Sequence, residues 1–180
     1  MQSIFGGSFA KLLVVGLVAT SASAAQPSGL DRPVDDLQAV LGRLTGCADW
    51  RSIGDIRDCN ILQTDGVVNL HRDPADDTVD TIELSPVIVA HPPRRSVDIK
   101  RSRKIAIDVV RAVLPGWKQA PTWLAHAMDD ARHWHARHVI KIGPVTVLVQ
   151  HLQPADLNDT FAEIVVTKRS SIEQWTYNNW

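Results

Sequence analysis

The stretch HVIKIGPVTVLVQHL, residues 138–152, decides the fold class. HVIKI (His138 to Ile142) and VTVLVQHL (Val145 to Leu152) are rich in β-branched residues, and Gly143-Pro144 separates them. Two such runs around a tight turn signal predict a pair of strands. The loop QPADLND follows, and then TFAEIVVTKR, Thr160 to Arg169. In that segment Phe161, Glu163, Val165 and Thr167 alternate with Ala162, Ile164 and Val166. Alternation of this kind is the period of a strand, so the last third reads as an antiparallel meander.

Upstream the period changes. Trp123, Leu124, Ala127, Met128, Ala131 and Trp134 fit a third helix over Thr122 to Trp134. A second helix starts near Val97 or Asp98. Ile105, Val109, Ala112 and Val113 form its stripe, and Ile107, Val110 and Leu114 widen it. A helix apolar over so much of its circumference is well buried. Between Cys59 and Ala90 the chain reads as strands, at Asn60 to Gln63, Val67 to Arg72 and Thr78 to Ala90. Pro86 predicts a break, bulge or edge in the last of these. The first helix carries Val34, Leu37, Val40, Leu41 and Leu44 on one face, with Asp31 as its cap, Pro33 in its first turn and Gly46 as its stop. The order α, β-β, α-α, β-β-β predicts an α+β domain: an antiparallel sheet of about five strands covered on one face by two or three helices. No Gly-rich phosphate loop follows any strand, which argues against a nucleotide-binding sheet.

The compartment is read from residues 1–25. Lys11 precedes the apolar run Leu12 to Thr20, and Ala22-Ser23-Ala24 supplies small residues for a signal peptidase. This is the pattern of a cleaved secretory signal peptide, with cleavage expected after Ala24 or Ala25. The run is far short of the ~20 residues of a membrane span. Residues 26–180 then form one domain, with a flexible terminus at 26–32 and an aromatic tail at 170–180. Loss of Lys11 lowers Lys plus Arg from 19 to 18 against 20 acidic residues. A net charge near −2 argues against general nucleic-acid or membrane-surface binding. No membrane span is expected after processing. A periplasmic or secreted chain with two cysteines, Cys47 and Cys59, most simply forms one disulfide. Eleven intervening residues are too many for a thioredoxin-like pair.

Three surfaces are candidate sites. HAMDDARHWHARH, residues 126–138, holds four of the seven histidines. On a helix His126, Asp130 and His133 share a face, whereas an extended chain brings His133 together with His135. Either subset offers ligands for a divalent metal. The plainer reading is a solvated helix end, since no H-E-x-x-H is present. The second surface is a basic cluster of Arg94, Arg95, Lys100, Arg101, Arg103 and Lys104. It fits an anionic partner or, more plainly, the acidic loop Asp73, Asp76, Asp77 and Asp80. The third is the tail, whose Trp175, Tyr177 and Trp180 suit a partner anchor or docking on their own domain. Trp117, Trp123 and Trp134 are expected to pack the third helix on the sheet. No G-x-S-x-G elbow or distinctive carboxylate pair marks an enzyme. The sequence therefore reads as an exported, non-enzymatic binding or accessory module of a bacterial-type envelope. Its partner is an envelope protein, a glycan or a small molecule, and it needs no cofactor. A metal-binding protein or metal-dependent hydrolase using residues 126–138 is the alternative.

Overall fold

The computed structural model describes residues 29–61, 64, 66–90, 98–153 and 159–169. The expected α+β class holds, with a larger sheet. Three helices, α1 (Val34–Thr45), α2 (Ile99–Val113) and α3 (Ala120–Asp130), accompany eight strands. The strands are β1 (Arg51–Ile53), β2 (Ile56–Ile61), β3 (Gly66–Arg72), β4 (Val79–Leu84), β5 (Val87–Val89), β6 (Arg137–Ile142), β7 (Val145–Leu152) and β8 (Thr160–Thr167). They form one antiparallel sheet in the order β1-β2-β3-β4-β8-β7-β6, with β5 paired to β8.

Five strands is an undercount in part because a hairpin starts inside the disulfide loop and in part because the expected strand Thr78 to Ala90 is two, β4 and β5. Gly54, at φ 59°, and Asp55 turn the chain between β1 and β2. A glycine takes that left-handed conformation without a Cβ penalty. Arg51 crosses the hairpin to Asp58 with two parallel bonds, of 2.7 and 2.8 Å. The interruption expected at Pro86 is present, since β4 ends at Leu84 and β5 begins at Val87.

Helix ends follow local chemistry. The Asp98 side chain caps α2 by accepting the Arg101 N–H at 3.0 Å. Gly46, at φ 76°, closes α1 and donates its N–H to the Gly42 carbonyl. Asp31 is not the cap of α1. It sits in a short 3-10 turn, Gly29–Asp31, and accepts from Lys168 Nζ at 2.8 Å, while Pro33 holds the cap position without a side-chain bond. The third helix stops at Asp130, short of the expected Trp134.

The sheet has two different faces. Leu70, Ile82, Val166, Val147 and Ile140 form a row across β3, β4, β8, β7 and β6 on the helix side. All five belong to, or pack against, the core with Leu37, Leu41, Val109, Val110, Leu124 and Met128. The opposite face carries the row Arg51, Asp58, Asn69, Glu83, Val165, Leu148 and Val139, which runs from one edge of the sheet to the other. Cys47 and Cys59 are bonded, with their Cα atoms 6.2 Å apart, and tie the end of α1 to β2. Among the described residues no helix is long and apolar enough to cross a membrane.

Candidate functional site

The histidine-rich stretch lies where α3 gives way to the edge strand β6. After Asp130 the chain makes a tight turn. The His133 N–H donates to the Asp130 carbonyl at 2.9 Å, and the Ala136 N–H donates to the His133 carbonyl at 3.0 Å. His135 holds a positive φ of 71°, a conformation that costs a non-glycine residue free energy and marks an over-determined turn. This turn pushes Trp134 outward, so that 63% of it is exposed. Trp134 does not pack α3 on the sheet, in contrast to the expectation for it. Trp117 does take a buried place and meets Trp123 at 5.4 Å.

Two imidazoles hold the exposed indole. His135 lies edge-on at 5.0 Å and His151 edge-on at 5.2 Å. His151 is itself fixed, because its Nδ1 stands 2.8 Å from the Ala131 carbonyl oxygen. A carbonyl can only accept, so Nδ1 carries the proton and Nε2 of a neutral ring is the acceptor. That Nε2 is buried and has no hydrogen-bond partner among the described residues. At the start of β6, His138 Nε2 lies 3.3 Å from Asp130 Oδ2. The arrangement is a preorganised aromatic platform with a polar rim. Strand β6 continues from it, with Arg137, Val139 and Lys141 exposed on one face.

The structure divides the four proposed metal ligands. His126 and His133 are exposed on α3 and in the turn, Asp130 faces His138, and His135 stacks on Trp134. Among the described residues no group of three or more His, Cys, Asp or Glu is placed to hold a metal ion. The basic cluster is drawn elsewhere than expected. Arg103 pairs with Asp129 at 2.9 Å and donates to the Ala125 carbonyl, and Lys104 pairs with Asp108 one turn on. Arg103 holds the Asp129 carboxyl below its ordinary range through that bond. In the acidic loop, Asp77 turns to Arg72 and Asp76 accepts from Thr78. Asp80, on β4, meets Arg169. Lys100 and Arg101 are exposed at the start of α2. Arg94, Arg95, Trp175, Tyr177 and Trp180 lie outside the described residues, as do residues 1–28.

The sequence reading missed a second polar group, at the centre of the sheet face away from the helices. Glu83 Oε2 accepts from Asn69 Nδ2 at 3.1 Å and lies 3.3 Å from His71 Nε2. Across β8, Gln150 Nε2 donates to Glu163. Burial raises the Glu163 carboxyl above its ordinary range. The Gln150 bond opposes that shift, and the nearby Glu83 charge adds to it. Glu163 is only 8% exposed, so the group lies within packed structure, not at an open cleft. Its one sequence signal was a glutamate in an otherwise apolar central strand. No protein-family model, curated protein or solved structure matches the chain.

Proposed function

We propose that the protein is an exported, non-catalytic binding module that engages a partner protein through Trp134 and the edge strand β6. The carrying observation is a tryptophan that is 63% exposed yet fixed between two histidine rings. A large amphipathic side chain held in place loses little conformational freedom on binding, which is the property of an interface anchor. The edge strand beside it offers a second mode of contact. Among the described residues β6 pairs only with β7, so its outer backbone groups are available to a partner strand. Export rests on the secretory pattern of residues 1–25, and the Cys47–Cys59 disulfide is compatible with it.

The test is photo-crosslinking in intact cells. One variant carries a photoreactive residue at position 134, and a control carries it at position 44, an exposed position near the end of α1. The proposal expects a discrete crosslinked protein from position 134 and none from position 44. Equal crosslinking from both positions, or none from 134, overturns it.

A further inference from the structure

The sheet face opposite the helices is too deeply buried to be a bare surface. Leu148 and Val165 sit side by side on β7 and β8 with 0% exposure. Val87 and Phe161, paired on β5 and β8, are buried on the same face. So are Thr81 and Thr167, whose hydroxyls meet at 2.7 Å. None of the four apolar residues belongs to the cluster packed under α1, α2 and α3. Strand neighbours flank a side chain but leave its tip open, because side chains stand roughly perpendicular to a sheet. The ends of the same face behave as a bare surface should: Val139 is 51% exposed on β6 and Ile53 is 60% exposed on β1. The burial is therefore local, centred on β8.

We propose that the C-terminal segment SSIEQWTYNNW, residues 170–180, is the cover, seated on Val87, Leu148, Phe161 and Val165. The place where the described chain ends supports this occupant. Strand β8 finishes at Thr167 in the middle of the sheet, and Lys168 and Arg169 follow. The Lys168 N–H is bonded to the Asp80 carbonyl and the Arg169 side chain to the Asp80 carboxylate, so the segment leaves from directly beside the buried patch. Eleven extended residues reach about 36–40 Å. The eight residues of β8 span about 27 Å, so the segment is long enough to return along the strand. Its composition suits the task. Trp175, Tyr177 and Trp180 each bring an area of about 150–250 Å² to bury, and the remaining polar side chains suit an outward face. The leader is the other apolar stretch outside the described residues, and its expected removal on export disqualifies it as a cover of the mature protein. Aromatic residues that the sequence offers as a partner anchor thus serve the fold itself, independently of Trp134.

Nuclear Overhauser contacts in the mature chain, residues 26–180, test this without a mutation. The proposal expects contacts from the indole protons of Trp175 or Trp180 to the methyls of Leu148 or Val165. Isotope-filtered spectra of a mixed sample should show them to be intramolecular. A Trp175→Ala/Trp180→Ala variant should lose them and bind a hydrophobic dye that the parent chain does not. Tail signals at random-coil positions without such contacts overturn the proposal. So do contacts that are intermolecular, which would make a second copy the cover.

Discussion

Trp134 and His151 meet edge to face, with ring centroids 5.2 Å apart, and the indole still shows most of its surface to solvent. The contact spans α3's exit and β7, so the platform is tied to the sheet as well as to its own turn. An exposed anchor of this kind and a buried packing tryptophan make opposite predictions for stability. Trp134→Ala should change unfolding free energy by no more than about 0.5–1 kcal/mol, because the lost contacts are largely solvated. Trp117→Ala should cost about 3–5 kcal/mol, because it empties a buried site against Trp123. Urea unfolding of the two variants measures both.

The Cys47–Cys59 bond closes a loop in which the β1–β2 hairpin starts. Chain entropy for a loop of this length gives about 3 kcal/mol. A Cys47→Ser/Cys59→Ser variant should therefore unfold at lower denaturant than the oxidised parent. Reduction of the parent should bring the two curves together. The first structure lost should be the hairpin at the end of the sheet, detectable as faster hydrogen exchange in residues 51–61.

Glu163 links stability to pH with a definite sign. Its carboxyl is raised by burial, and further by the Glu83 charge, above an ordinary value of 4.5. The folded state holds this proton to higher pH than the unfolded chain does. Its contribution is therefore fully present below the unfolded value and is lost as pH rises through the folded one. Glu163→Gln keeps an acceptor for Gln150 and removes the titration. Unfolding curves between about pH 4 and pH 8 should show the variant gaining on the parent as pH rises. A constant difference across that range would refute the linkage.

The metal alternative has its own measurement. Elemental analysis of untagged, purified mature protein should find less than about a tenth of an equivalent of any transition metal, since the imidazoles of residues 126–138 have no common focus. A stoichiometric metal, abolished by His133→Ala, would restore the metal reading.

The fold was legible in the sequence where one period ruled a segment. Strands β7 and β8 alternate cleanly or run apolar, and α2 carries an apolar stripe that ends at Pro115-Gly116. The β1–β2 hairpin was hidden because RSIGDIRD is mostly polar, with only Ile53 and Ile56 apolar, and lies at the sheet's end, where neither face need be apolar. The platform was half legible. The cluster of histidines marked the place, but Trp134 read as a packing residue because the helical period was carried four residues too far. What ends the helix is the turn at Asp130 to Ala136 with His135 at positive φ, and no glycine or proline announces it. The Glu83–Glu163 group could not be assembled from the lone glutamate of β8, because its members come from four strands and only the register brings them together.

The most direct test of the binding account is the affinity of the partner captured at position 134, measured against the parent protein and Trp134→Ala. The account predicts a loss of about 2 kcal/mol or more, roughly 30-fold, with the variant's fold intact. Equal affinity for the two proteins would contradict it.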